Sequence, residues 1–282
     1  MAKRLLQHVL LEGRSLVSLA QQRRQSFPSA RYRFRTALRS LAAQPPAISM
    51  PVGALILVGD ALWFRFANRR WTLYLLALRP VRGCLATLLD PILLPGKENS
   101  SDWGRAIGAI PSRLRRRVRA LVSDGFAGVK GIARSHGWVL QRCHFHLIRS
   151  LHVVRGTRRP LRGTAVREAA YQLIRKALRQ QDCEQLRCLT EQLQALAASA
   201  DCPRRLRLIV RGFLRERPSF HGYLIHPELH LPTTTNALES MGSIIRSTVG
   251  TVRTPRALQR WATALVRVRP QITCNGADFP PN

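Results

Sequence analysis

Short apolar runs that alternate with helical segments most constrain the fold of this chain. The run Ala54–Gly59 has the character of a buried strand and ends at Asp60, and the run Val118–Val122 ends just before Asp124. A helical pattern then extends to about residue 136, and the strand-like segment Trp138–Leu140 follows it. Strands that alternate with helices in this way predict an α/β core.

A hairpin is predicted directly after the first of these runs. The apolar segments Trp63–Phe66 and Trp71–Leu78 flank the turn-like residues Asn68–Arg70. The Ser and Asp residues at 100–102 are typical helix caps, and they predict a helix that extends to Ile110.

Later parts of the chain have the 3.6-residue spacing of helices. Residues 165–217 form a long helical block, and several prolines follow it. A helix resumes after Asn236, and a last helix is predicted over Pro255–Val268 before a polar tail.

The N-terminal 45 residues predict three short helices followed by a proline-rich linker. The third helical segment, Ala30–Leu41, contains Arg31, Arg33 and Arg35. Three helices in this order match a helix-turn-helix, in which these arginines would contact DNA. An arginine-covered packing hairpin without a DNA role is the alternative.

Charge indicates the class of partner. The chain has 282 residues with 46 Lys and Arg against 15 Asp and Glu, a formal net charge of +31. This excess is far larger than solubility requires, and it predicts a polyanion such as nucleic acid as the partner.

Cysteine usage and hydropathy bear on the compartment. Six scattered cysteines in a chain of this length do not resemble a disulfide framework. The apolar stretches are interrupted by polar residues and fall short of a membrane span, and no signal-type core follows the basic start. An intracellular protein is therefore expected, in the cytoplasm or nucleoid if the source is bacterial, without a membrane partner.

Three acidic residues stand out because acids are scarce. Asp60 and Asp124 each follow an apolar strand-like run, where α/β sheets place ligand groups, and Glu239 lies at the start of a helix. Carboxylates are suitable ligands for Mg²⁺. Taken singly, Asp60 and Asp124 can instead serve turns or helix caps, and Glu239 with Asn236 has the spacing of a capping box.

Four segments around these acids occur in a recognisable order. They are Leu57-Val58-Gly59-Asp60, Ser123-Asp124-Gly125-Phe126-Ala127-Gly128-Val129, Gln141-Arg142-Cys143-His144-Phe145-His146, and Thr234-Thr235-Asn236-Ala237-Leu238-Glu239. Together they resemble the Mutator-type DDE transposases of bacterial insertion sequences and eukaryotic mutator-like elements. The resemblance covers about residues 50–250.

The resemblance implies a ribonuclease-H-like mixed-sheet core with a helical insertion before the Glu. Asp60, Asp124 and Glu239 would be the catalytic and metal-binding triad, with Mg²⁺ or Mn²⁺ as two bound ions. The expected division of the chain is a helix-turn-helix-like region over 1–45, the first part of the core over 50–162, the insertion over 163–232, the end of the core over 233–268 and a tail over 269–282.

The implied activity is cleavage of DNA at element ends and strand transfer into target DNA by an enzyme that assembles as a homo-oligomer on DNA. The alternatives are a non-catalytic DNA-binding protein, either a decayed transposase or a regulator, and a metal-dependent nuclease. Cys143 and His146 resemble the group's Cys-x-x-His element. Because no second pair of ligands at suitable spacing accompanies them, they are expected to support the core and not to hold zinc.

Overall fold

The structure of the protein is a computed structural model that describes residues 2–46, 48–126, 128–156, 163–248 and 252–274. These residues form seven strands together with helices, which confirms the predicted α/β class.

The elements are numbered here in chain order. The strands are β1 (Leu55–Phe66), β2 (Arg69–Pro80), β3 (Leu85–Leu88), β4 (Ile92–Pro95), β5 (Val118–Ser123), β6 (Val139–Arg142) and β7 (Gln271–Thr273). The helices are α1 (Ala2–Leu10), α2 (Leu16–Gln22), α3 (Phe27–Ala43), α4 (Ser100–Gly108), α5 (Ser112–Arg115), α6 (Val129–Ser135), α7 (His144–Arg155), α8 (Thr164–Arg179), α9 (Cys183–Ala198), α10 (Arg204–Phe220), α11 (Gly222–Ile225), α12 (Asn236–Thr248) and α13 (Pro255–Val268), with a short 3-10 helix at Pro227–Leu229.

The described residues group into two compact units. The first unit contains those in the ranges 2–118, 126–128 and 236–274, and the second contains those in 119–125 and 129–235.

The first unit is built on the long antiparallel hairpin of β1 and β2. The two strands pair over their full lengths, and the turn at Ala67 and Asn68 has φ values of 45° and 61°. Two successive residues with positive φ define a type I′ turn, whose twist suits a two-residue hairpin. The predicted hairpin is thus confirmed, with its turn slightly earlier than expected.

Asp60 does not end a strand, which corrects the sequence prediction. It pairs with Leu75 in the middle of β1, and the strand continues to Phe66. Before Asp60 the strand is buried on both faces, whereas after it buried Leu62 and Phe64 alternate with more exposed residues. Because the apolar pattern changes from continuous to alternating within this strand, the sequence predicted two separate strands.

The remaining strands of the first unit were not predicted. β3 and β4 both pair with β2, and β7 pairs with β3. Strands of three or four residues are too short to establish a period. β7 lies within the segment predicted as a tail, of which residues 275–282 are outside the described part.

Helices cover both faces of β1. Buried Trp103 of α4 packs over Gly59, where a Cβ would lie only 2.9 Å from the indole ring. On the other face, Gly242 of α12 packs against Leu62. Separately, α1 and α3 pack against α13, and the rings of Phe34 and Trp261 are 5.5 Å apart.

The second unit contains a parallel β-α-β segment and the helical block. β5 and β6 pair in parallel, and α6 connects them. The block consists of α8, α9 and α10, which confirms the helical prediction for 165–217, and its apolar faces share a core with α7. No helix within the described residues is long and apolar enough to cross a membrane.

Candidate catalytic site

The first unit brings two of the predicted acids onto facing elements. Asp60 and Leu62 share one face of β1, because alternate residues of a strand point to the same side. Glu239 and Gly242 share one face of α12, because they are three residues apart on a helix. Gly242 is the contact of α12 with Leu62, with its hypothetical Cβ 2.9 Å from a methyl carbon of that side chain. Glu239 therefore faces the side of β1 that presents Asp60.

Asp60 is almost completely removed from solvent. Only 3% of the residue is exposed, and its Oδ1 accepts a hydrogen bond from the Ala61 backbone N–H at 2.9 Å. A carboxylate this deeply buried is costly unless donors or cations compensate its charge. Its burial distinguishes it from an ordinary turn residue.

Glu239 lies in the first turn of α12, where the helix dipole favours a negative charge. The helix begins at Asn236, and the Oδ1 atom of Asn236 is buried without a hydrogen-bond partner within the described residues. The spacing suggested a capping box, in which the Asn236 side chain would accept a hydrogen bond from a backbone N–H. That hydrogen bond is absent among the described residues.

Asp124 follows β5 directly, as the sequence predicts. The Ser123 hydroxyl donates to Asp124 Oδ1 at 3.3 Å, and Ser123 itself is fully buried. The next residue, Gly125, has a φ of 91°, a conformation that side chains rarely adopt. The chain therefore turns sharply at the position of the acid.

Arg142 occupies the space above this turn, and sequence reasoning gave it no role. Its Nη2 donates to the Asp124 carbonyl oxygen at 3.0 Å, and its guanidinium lies 5.0 Å from the Phe220 ring. A Cβ on Gly125 would lie 1.8 Å from the guanidinium. Burial lowers the pKa of Arg142, whereas the charges of Glu216 and Asp124 oppose this shift. In the sequence, the position of Arg142 directly before Cys143 was the feature that could have indicated a role for it.

Cys143 connects the end of β6 to the segment that leads into α12. Its Sγ is buried and accepts hydrogen bonds from the backbone N–H and the hydroxyl of Thr235, at 3.3 Å and 3.4 Å. Next to it, the His144 backbone N–H donates to the Thr233 carbonyl at 2.8 Å. Cys143 thus fixes the backbone four residues before Glu239.

His146 lies beside both Asp124 and Cys143 in the second unit. A ring nitrogen of His146 lies within 4.8 Å of a carboxylate oxygen of Asp124. A ring nitrogen of His146 also lies within 4.8 Å of the Sγ atom of Cys143. An imidazole at this distance can assist a cation bound by the carboxylate.

His144 serves the packing of this unit. It is buried, and its Nε2–H donates to the Phe220 carbonyl at 2.7 Å. Burial lowers the pKa of His144 to about 4. The ring is therefore neutral at neutral pH and holds the C-terminal end of α10 against the start of α7.

Each unit presents a carboxylate that could serve as a metal ligand. Within the first unit, Asp60 and Glu239 offer carboxylates from facing elements. Within the second unit, the Asp124 carboxylate lies near His146. Carboxylates of this kind are suitable ligands for a hard divalent cation such as Mg²⁺. No protein-family model and no curated protein matches this chain.

The contacts of Cys143 predict a structural role without zinc. We expect Cys143→Ala to lower the free energy of unfolding by about 1–3 kcal/mol, because Thr235 would lose its buried acceptor. Urea unfolding measures this loss, and metal analysis of the dialysed wild-type protein is expected to find no stoichiometric zinc.

Exposed Cys84 provides the control. Its replacement by Ala is expected to leave the unfolding free energy within about 0.5 kcal/mol of wild type. Stoichiometric zinc that survives dialysis and disappears in the Cys143 variant would contradict the structural role.

Proposed function

We propose that this protein is a DDE-type DNA transposase that cleaves phosphodiester bonds at element ends and transfers the released ends to target DNA. The observation that supports this most is the pair Asp60 and Glu239, which are far apart in sequence and lie on facing elements. Asp124, in its sharp turn after β5, would be the third acid.

The three carboxylates would hold two Mg²⁺ or Mn²⁺ ions. When bound, such ions activate the attacking oxygen and stabilise the leaving oxygen of an in-line displacement. The chain's own residues supply position: burial fixes Asp60, the first turn of α12 favours the charge of Glu239, and Arg142 holds the backbone of Asp124. Positioning is most of what a protein contributes to phosphoryl transfer.

A ribonuclease-H-like core is part of the proposal. The antiparallel strands β1, β2 and β3 come first, and the parallel pair β5 and β6 follows. The block α8–α10 lies between β6 and the helix with Glu239, where the resemblance implies an insertion. This order of elements supports the assignment.

The substrate would be DNA, both as element ends and as target, inside the cell. The formal charge of +31 favours a polyanion, and the arginines of α3, Arg31, Arg33 and Arg35, are all exposed. The proposal includes assembly of more than one copy on the DNA.

The test is incubation of the protein with Mg²⁺ and DNA that carries the terminal repeats flanking the coding sequence. Both strand cleavage and joining are scored, with EDTA in a parallel reaction. Cleavage and joining that both require Mg²⁺ are expected. Cleavage without joining would identify a nuclease, and DNA binding without either reaction would identify a non-catalytic binding protein.

DNA affinity is expected to depend steeply on salt. Arginine contacts to phosphate release condensed counterions, so six or more contacts weaken binding by at least about a thousandfold between 50 and 200 mM salt. Fluorescence anisotropy of a labelled duplex at several NaCl concentrations measures the slope.

Sucrose at matched osmolality serves as the control and is expected to leave the affinity unchanged. A slope near zero in the log–log plot would contradict the use of the positive charge for nucleic acid.

A further inference from the structure

The first unit contains a groove that the proposed chemistry does not use. It has a volume of about 800 Å³ and lies between residues of α3, α13 and the segment that precedes α2. Its polar lining is dominated by arginines, which are Arg14, Arg31, Arg35, Arg39, Arg253 and Arg260.

The charge of this groove is largely uncompensated. Arg14 pairs with Glu12 at 2.9 Å, whereas the other five arginines are exposed and form no ion pair within the described residues. No Asp or Glu is among the described residues that line it. Five neighbouring cations repel one another, so an anionic ligand would be bound favourably.

Aromatic side chains lie among the arginines. Phe27 is 43% exposed, and half-buried Trp261 packs on the buried ring of Phe34, with 5.5 Å between the ring centroids. Grooves that combine cations with aromatic surfaces are typical of proteins that bind single-stranded nucleic acid, where bases stack on the rings.

The size of the groove also favours one strand. A volume of about 800 Å³ is in the range of pockets that enclose a small ligand, which accommodates a few nucleotides but not a double helix. The groove also contains Thr254, which caps the N-terminus of α13 by accepting from the Ala257 N–H at 3.2 Å. The positive end of the helix dipole adds to the attraction for phosphate.

The arginines of α3 fall on two sides of the helix. Arg31, Arg35 and Arg39 are spaced by four residues and line the groove, whereas Arg33 does not. Arg31, Arg33 and Arg35 were predicted as one DNA-contacting set, but the helix points Arg33 away from the other two.

We propose that this groove binds an unpaired strand of DNA, with its phosphates on the five arginines and its bases against Phe27 and Trp261. The inference rests on the proposed function for the source of that strand, because cleavage at an element end provides DNA ends that can be unpaired locally. The binding itself does not require the catalytic carboxylates.

The test compares two double variants of the full-length protein. Arg35→Gln with Arg260→Gln changes the groove, and Arg256→Gln with Arg269→Gln removes two exposed arginines of α13 and its C-cap that lie outside it. Binding of a labelled 12-nucleotide oligothymidylate is measured by anisotropy in EDTA. We expect the groove variant to bind about tenfold more weakly, with a log–log salt slope shallower by about 1.4, and the control to bind within about threefold of wild type.

Two results would overturn the inference. One is an equal loss of oligothymidylate affinity in both variants, since the effect would then be general charge. The other is a groove-specific loss for a 12-base-pair duplex but not for the single strand, since the ligand would then be double-stranded.

This experiment separates the inference from the proposed function. EDTA excludes catalysis from the measurement, so groove-specific binding by a protein that neither cleaves nor joins DNA would support the groove and contradict the transposase. The opposite outcome is also possible. A wild-type protein that cleaves and joins DNA, while both double variants lose oligothymidylate affinity equally, would support the transposase and contradict the groove.

Discussion

Asp60→Asn and Asp124→Asn are each expected to reduce Mg²⁺-dependent DNA cleavage by at least about a thousandfold, while duplex affinity stays within about twofold of wild type. The amide keeps the size and shape of the side chain but removes the negative charge that holds a cation. Asp60 is buried in the middle of β1 and Asp124 is half-buried directly after β5, so these substitutions leave the exposed arginines unchanged. Single-turnover cleavage of labelled DNA measures the rate, and anisotropy in EDTA measures the affinity.

A matched control is Asp182→Asn. Asp182 is exposed and caps α9 by accepting from the Gln185 N–H at 2.8 Å, a role that Asn fills equally well. Its variant is expected to cleave at the wild-type rate. If Asp60→Asn or Asp124→Asn unfolds like wild type in urea and still cleaves at more than about a tenth of the wild-type rate, that acid is not a catalytic ligand.

Periodic patterns in the sequence predicted the larger elements well. α13 was predicted over Pro255–Val268 and has these bounds, and the helical block was placed correctly. Asp124 was correctly placed after a strand. These features depend on local hydrophobic spacing, which is visible without any knowledge of distant residues.

Other features depend on contacts between residues far apart in the chain. The strand through Asp60 is held by its pairing with β2, which a change of apolar pattern at Asp60 concealed. The groove needs arginines of α3 and of α13 on one surface, and Arg142 acquires its place from Asp124 and Phe220. Local propensity and periodicity contain no information about contacts between residues that are far apart in the sequence.

Gly125→Ala is the substitution outside the acids with the largest expected effect. Its φ of 91° is strained for any side chain, and the new methyl would overlap the Arg142 guanidinium, whose atoms lie from 1.8 Å away. We expect the free energy of unfolding to fall by about 2–3 kcal/mol. Because displacement of Arg142 also frees the backbone of Asp124, cleavage is expected to fall about a hundredfold. Urea unfolding and single-turnover cleavage measure the two effects.

Gly131→Ala is the matched control in the same unit. Gly131 lies inside α6 with nothing within 4 Å of its hypothetical Cβ, so Ala adds helix propensity without a clash. Its variant is expected to gain about 0.5–1 kcal/mol of stability and to retain full cleavage. The opposite signs separate conformational strain at residue 125 from a general sensitivity to added methyl groups. A Gly125→Ala variant as stable and as active as wild type would mean that neither the turn nor Arg142 positions Asp124.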